Sequence, residues 1–336
     1  MRIERLDPAD AGVMRGCHQV QLAARLVDDP LDPPQSLGVF RVWLEHGWDS
    51  DPGEAWYVPG EPDGALAWYR LSLPDMENLD RGFLMFVVHP ASRRQGIGRA
   101  LLRHAADRAA ANGRTMLGSV TVRFGAGSGF AEHISAKPGL VEARRVLDLR
   151  KVPDGHFSQL RETAAKAATG YTLVSWTGPT PEEHRGRVAE AFNAMNDAPR
   201  DEGYEDDFWD ADRVRDRADR ILHLTDVRGY SVAAVHDATG EMAGLTQVEV
   251  DPEVPEWGFQ GLTAVTRPHR GHRLGMLIKA TMLEWLAEAE PQIVKVETGN
   301  AASNQYMISV NETLGYEVVE PGWQFFEMPV AAALEA

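Results

Sequence analysis

One pattern occurs twice in the chain, and the repeat limits the folds open to it. The first copy, residues 83–109, reads FLMFVVHPASRRQGIGRALLRHAADRA. Residues 83–88 are an apolar run of strand length, and His89-Pro90 ends it because proline cannot extend a ladder. A basic turn of Arg93, Arg94, Gln95, Gly96, Ile97, Gly98 and Arg99 follows. Ala100, Leu101, His104, Ala105 and Arg108 then recur at helical spacing, with no Gly or Pro before Asn112-Gly113. The second copy has an apolar strand at 258–265, a turn reading RPHRGHRLG at 267–275 and a helical stripe of Leu277, Ile278, Met282, Leu283 and Leu286. Arg93 and Arg270 mark the two turns, 177 positions apart. Such a chain is read as two copies of one domain.

Strand, basic glycine turn and helix make a physical recipe for holding phosphate. The first N–H groups of a helix lack partners and lie at its positive end, and glycine lets an anion approach the backbone. A P-loop is excluded, since G-x-x-x-x-G-K-[ST] occurs nowhere. The motif Arg93-Arg94-Gln95-Gly96-Ile97-Gly98, after a strand with Val88 and Pro90 at its end, resembles the acyl-CoA pyrophosphate loop of the GNAT superfamily of N-acyltransferases. Arg270-Gly271-His272-Arg273-Leu274-Gly275 matches at Arg270 and Gly275, with Arg273 where the family has its first glycine. The tandem arrangement resembles the mycothiol synthase-like two-domain acetyltransferases. This resemblance implies an α/β (α+β type) fold with two tandem GNAT domains. Each would be a mixed, mostly antiparallel sheet with a parallel splayed strand pair and flanking helices. The expected division is 1–150, a connector helix in 151–170, and 171–330.

A chain of 336 residues suits two domains of ordinary size, and 43% hydrophobic residues can build their cores. No apolar run reaches the ~18 residues of a membrane span, and Met1-Arg2-Ile3-Glu4-Arg5 lacks the apolar core of a signal peptide. Cys17 is the single cysteine, which forbids an internal disulfide. A cytoplasmic monomer or homodimer is expected. The net charge of −16 argues against nucleic acid as a partner and permits a cationic substrate.

In chain order, a short strand at 2–5 precedes a helical region and a second helix at 36–46. A strand pair at 55–58 and 65–73 flanks the turn 60–64. After the first organising unit come a strand at 115–122, a short helix opened by Gly125-Ala126-Gly127-Ser128-Gly129 and a closing strand at 141–149. That glycine run has the wrong spacing for a dinucleotide fingerprint and is read as a flexible loop beside the cofactor. The second copy repeats the order: a strand at 171–176, a helix opened by Pro179-Thr180-Pro181-Glu182-Glu183 and running to about 195, a mixed-charge helix at 212–219, strands at 230–236 and 242–250, the second organising unit, a strand at 293–298, a helix at 304–314 and a strand at 323–328. The acidic-aromatic segment 197–210, with Tyr204, Phe208 and Trp209, is where the family's first helices wall the acceptor pocket. Its carboxylates and rings could hold an ammonium.

Acetyl transfer from acetyl-CoA to an amine needs a grip on the cofactor, donors at the thioester carbonyl and a route for protons. The resemblance assigns carbonyl polarisation to the backbone at Val88 and Val265. In the last helix it assigns CoA contacts to Asn300 and Asn304. The family's thiolate-protonating Tyr falls at Asn311 and, in the first copy, at Ser135. An amide cannot act as an acid and Ser135 is again not Tyr, so Tyr306 is the substitute. Glu249 is the first choice of general base, followed by Glu256 and Asp251. His269 and His272 lie three apart, but no third ligand accompanies them in the sequence, so no metal site is expected. The C-terminal copy is the expected catalytic one, by analogy with two-domain members of the family. The expected activity is transfer of acetyl to the primary amine of a small cationic metabolite or antibiotic. The alternative is a non-catalytic acyl-CoA-binding or sensing protein with degenerate copies.

Overall fold

The structure is a computed structural model that describes residues 1–47, 49, 53–60 and 64–336. The expected turn at 60–64 lies partly outside these residues. In chain order the elements are β1 (Glu4–Arg5), α1 (Ala11–Asp28), α2 (Leu37–His46), β2 (Gly53–Gly60), β3 (Gly64–Ser72), β4 (Arg81–Val88), α3 (Ile97–Ala111), β5 (Met116–Val122), α4 (Ala126–His133), β6 (Lys137–Asp148) and α5 (His156–Ala165). Then follow β7 (Tyr171–Thr177), α6 (Glu182–Asn193), α7 (Ala211–Arg213), α8 (Arg220–Leu224), β8 (Arg228–His236), β9 (Met242–Val250), β10 (Trp257–Val265), α9 (Leu274–Ala289), β11 (Lys295–Ala301), α10 (Gln305–Leu314), β12 (Glu317–Pro329) and α11 (Val330–Glu335).

The chain forms two compact units, but the expected boundary at 150 is not theirs. One unit takes Met1–Val141, Asp201–Glu205 and Pro321–Ala336; the other takes Glu142–Arg200 and Asp206–Glu320. In the first, the strand order is β1-β2-β3-β4-β5-β12, with Phe326 and Met328 of β12 buried in its core. In the second it is β6-β11-β10-β9-β8-β7, with Leu147 of β6 buried in its core. The closing strand of each copy is thus supplied by the other half of the sequence. Both strands are apolar enough to fill either place, so local pattern does not choose between them. The expected connector helix is α5, shorter than read, which packs on α9 with Phe157 and Leu160 against the second core.

Each sheet is antiparallel except at one pair. In the first unit β4 pairs with β5 in parallel over three rungs, Arg81↔Met116 to Phe83↔Gly118. In the second β10 pairs with β11 over Trp257↔Lys295 to Phe259↔Glu297. Beyond those rungs the strands continue unpaired with each other and separate. The long helices follow from their apolar stripes and local caps. Ser36 caps α2 by accepting from the Val39 N–H, and Asp10 caps α1 through the Gly12 and Val13 N–H groups. The run 125–129 is not a flexible loop: it enters α4, where a Cβ on Gly127 would lie 1.9 Å from Thr121 Oγ1. Glycine there lets α4 sit directly on β5. Cys17 is buried, and burial pushes its thiol up to about 12, so it is inert packing. Among the described residues no helix is long and apolar enough to cross a membrane.

Candidate functional site

The two basic turns have the same backbone with the residue types exchanged. Arg94 and Gly96 take positive φ in the first, at 63° and 81°; Gly271 and Arg273 take it in the second, at 89° and 56°. Each turn therefore places one arginine and one glycine at the two left-handed positions, in opposite order. The non-glycine residue at each costs roughly 1 kcal/mol. The N-cap residues of α3 and α9, Gly96 and Arg273, make no side-chain hydrogen bond to the first-turn N–H groups. A Cβ at Gly96 or Gly271 would meet nothing within 4 Å. Arg94, Gln95, Gly96 and Arg99 are exposed, as are Gly271, His272 and Arg273, while Ile97 and Leu274 anchor the helices in the cores. Uncapped donors, positive charge and open space can hold an anion such as a pyrophosphate.

The first arginine of each motif is tied into its own unit. Arg93 Nε donates to the Val88 carbonyl at 3.2 Å, and its terminal nitrogens donate to Asp28 at 2.8 and 2.6 Å. Arg270 repeats this, with Nε on the Val265 carbonyl at 3.1 Å and Nη2 on Asp197 Oδ2 at 2.7 Å. Each arginine thus ties the end of the splayed strand to an aspartate contributed from the preceding helical region. Arg267, then Arg270, hold the Asp197 carboxyl below its usual range. Exposed charge remains on Arg94 and Arg99 in one loop and on Arg273 in the other.

At the splay the two units differ. In the first, β3 and β4 run in register from Ala67↔Val88 to Ser72↔Phe83. In the second, Gln260 faces Val248 but Thr263 faces Thr246, so β10 carries one extra residue. Such a bulge removes backbone N–H and C=O groups from the ladder. The final parallel rung differs too. Phe259 lies opposite Glu249 on one side and Glu297 on the other, where the first unit has Phe83 between Ser72 and Gly118. Direct partners share a face, so two carboxylates flank Phe259 just before the strands part. Glu297 is 1% exposed and accepts from Arg144 Nε at 2.6 Å, with Arg144 0% exposed. Burial, and then the charge of Asp219, push the Glu249 carboxyl up to about 7. Asp219 itself is raised by burial, although it accepts from the Thr180 N–H and hydroxyl.

The other expected site residues sort by position. Glu256 is exposed and precedes β10, three residues before Phe259, or ~10 Å away along an extended strand. Its backbone carbonyl accepts from Val294 and Lys295, and it is at the wrong end for the splay. Asp251 accepts from the Glu253 N–H in a turn. Tyr306 is 58% exposed, and its hydroxyl lies 3.7 Å from where a Cβ on Gly275 would be, with Val265 beside it. It therefore stands at the strand end and the head of α9. Asn304 caps α10 by accepting from the Met307 N–H. Asn300 accepts from Asn311, and Asn311 accepts from Lys279 Nζ at 2.8 Å. Asn311 is wholly buried, and burial pushes Lys279 down to about 7. The acidic-aromatic segment is mostly committed elsewhere. Asp201–Glu205 belongs to the first unit, where Tyr204 stacks on Phe83 and lies under the Arg81 guanidinium. Trp209 stacks on Phe192, Asp210 caps α7 and Asp206 pairs with Arg200. Phe208 alone among its rings is broadly exposed, at 64%.

Sequence reasoning missed Glu297 and Arg144. An acid inside the apolar strand 293–298 was the available signal. It also missed two partners for His269: the His236, Glu241 and His269 donor atoms lie within 4.8 Å of one another, and His272 is not among them.

Residues 23–125 match the model of the Acetyltransferase (GNAT) family. Two relatives are mycothiol acetyltransferases. That of Mycobacteroides abscessus is 27% identical, covering 78% of this chain and 80% of the relative. That of Mycolicibacterium paratuberculosis is 26% identical, covering 73% and 74%. Among solved structures, a tandem GNAT protein from the clavulanic acid biosynthesis pathway is 28% identical, with a TM-score of 0.76 over 98% of both chains. A GCN5-related N-acetyltransferase from Sphaerobacter thermophilus shares the fold at 17% identity, with a TM-score of 0.64 over 98% of this chain and 95% of its own. The chain thus carries a GNAT acetyltransferase domain at residues 23–125 and has, over its whole length, the fold of a tandem GNAT protein.

Proposed function

We propose that the protein is an acetyl-CoA-dependent N-acetyltransferase acting on the primary amine of a small cationic metabolite or antibiotic, with the second unit as its catalytic centre. The observation that carries this reading is the coincidence, among the described residues in that unit alone, of a bulge and a carboxyl raised to about 7 at the parting of β10 and β11. The first unit has Ser72 and Gly118 at the matching positions and an unbroken ladder.

Acetyl-CoA would supply the acetyl thioester. The exposed turn 271–273, the head of α9 and Arg273 would hold its phosphates. The backbone freed at the bulge, at Gly261 and Leu262, would donate to the thioester oxygen, whereas Val265 is paired opposite Gly244. Glu249 would take a proton from the substrate ammonium, for which a carboxyl near 7 is well matched at neutral pH. Its charge and that of Asp219, with the overall −16, favour a cation. Tyr306 would return a proton to the leaving thiolate. Mycothiol acetyltransferase activity is one case within this reading, suggested by the relatives.

Thiol release from acetyl-CoA across a panel of amines tests it. Turnover with a primary amine that is lost in Glu249→Gln supports the proposal. Tight acetyl-CoA binding with no turnover on any amine replaces it with the acyl-CoA sensor.

A further inference from the structure

Behind the second basic turn stands a group of side chains that acetyl transfer does not use. His236 ends β8, Glu241 opens the return into β9, and His269 lies in the short turn Arg267–His269 that leads into the loop. The backbone brings these segments together, because the Thr266 N–H and hydroxyl both donate to the Ala243 carbonyl. His269 Nε2 and Glu241 Oε2 are 3.2 Å apart, and all three donor groups lie within 4.8 Å. Tetrahedral zinc, with bonds of about 2.0–2.1 Å, spaces its ligands by roughly 3.3 Å. One pair is at that spacing, and the third needs a shift of at most about 1.5 Å, within reach of side-chain rotation.

The remote ring nitrogens are also engaged as a metal requires. His269 Nδ1 is 2.9 Å from the Tyr171 hydroxyl, and His236 Nδ1 is 2.9 Å from Thr239 Oγ1. With Nδ1–H donating to those hydroxyls, each ring keeps its Nε2 lone pair for coordination, the usual outer-shell arrangement of metal-bound histidine, and Nε2 of His269 is the nitrogen that faces Glu241. Tyr171 packs against both rings, at 5.2 and 5.6 Å between centroids, which limits their rotation. His269 is 7% exposed, while Glu241 is open to solvent and leaves an entry path.

We propose that His236, Glu241 and His269 form a site for a borderline divalent transition metal, Zn2+ in the first instance, with water completing the shell. Two imidazoles and one carboxylate suit zinc and not magnesium, which takes oxygen ligands. The ion would clamp the β8–β9 turn to the segment entering the basic loop.

The test is calorimetric titration of chelator-treated full-length protein with Zn2+, and with Mg2+ as the contrasting probe. Wild type should bind one equivalent of Zn2+ and no Mg2+, and Co2+ in its place should show the visible absorption of a low-coordinate ion. His236→Ala and Glu241→Gln should each weaken Zn2+ binding at least tenfold. Tyr171→Phe, which removes no ligand, should weaken it less, by about tenfold at most. Far-ultraviolet circular dichroism confirms that each variant is folded. If wild type takes up no Zn2+, or if both ligand variants bind one equivalent with unchanged affinity, the proposal is wrong. Should a ligand variant fail to fold, the wild-type stoichiometry, the Co2+ spectrum and Tyr171→Phe still decide.

Discussion

Glu249→Gln should raise stability and abolish activity, with both effects set by pH. A glutamate carboxyl moved from 4.5 to about 7 by folding carries about 3 kcal/mol of linkage. The sign follows from which state keeps the proton. Below pH 4.5 the carboxyl is neutral in both states and costs nothing. As pH rises from 4.5 towards 7, the unfolded chain ionises first while the native state must hold the proton or bury a charge. Stability that is present at pH 4 is therefore lost through this window, and the loss is complete above pH 7. Glutamine has no charge to desolvate. The variant should match wild type within about 1 kcal/mol at pH 4.5 and exceed it by up to about 3 kcal/mol at pH 8.5, measured by urea unfolding at both values. In the thiol-release assay, kcat/KM of wild type should rise with a midpoint near pH 7. The variant should lose about 10²–10⁴-fold and show no such limb. A variant less stable than wild type at pH 8.5, or a stability difference independent of pH, would refute the claim that Glu249 is desolvated. Unchanged turnover would refute its role as base.

Arg273→Gly should stabilise the second unit by roughly 1 kcal/mol in urea unfolding, since it removes a side chain from the left-handed region, and should weaken acetyl-CoA binding several-fold by calorimetry. A Cβ reaches ordinary contact at both Gly275 (Tyr306, Val265) and Gly98 (Phe130, Phe86), so a tryptophan should block either turn; if the second unit is catalytic, Gly275→Trp should block turnover and Gly98→Trp should leave it within twofold. The reverse pattern in the thiol-release assay would move the catalytic centre to the first unit. Arg144→Met should cost about 3–5 kcal/mol in urea unfolding by leaving the buried Glu297 charge uncompensated, and Arg144→Met with Glu297→Gln should recover much of that loss. Lys279 is depressed by burial, so wild-type stability should fall as pH drops from 10 towards 7, and Lys279→Met should flatten that dependence.

The strands, the helices and the two basic turns were legible because they rest on neighbours in sequence. Apolar runs, helical stripes and proline or glycine punctuation act within a few residues, and element ends moved by only a few positions. Glu249 was legible as the carboxylate on the strand before the splay. Glu256 was not excluded, because strand polarity relative to the parting is a property of the sheet. The ties made by the two motif arginines were not legible for a related reason. A phosphate-binding turn and a tie to an aspartate use the same residue type at the same spacing. The deciding partner, Asp28 or Asp197, lies 65 or 73 residues away.

Sequence alone determined that this chain is a duplicated strand–basic turn–helix protein, since repeat, periodicity and turn chemistry are local. Tertiary structure decided which strand closes which sheet, where one extra residue breaks the β10 ladder, and which charges meet. It buried Arg144 beside Glu297 and left Glu249 within the electrostatic reach of Asp219, which has two Thr180 donors of its own. It also gathered His236 and Glu241 around His269. Each of these outcomes depends on distances between residues remote in the chain, and such distances are set by packing the whole sheet and its helices.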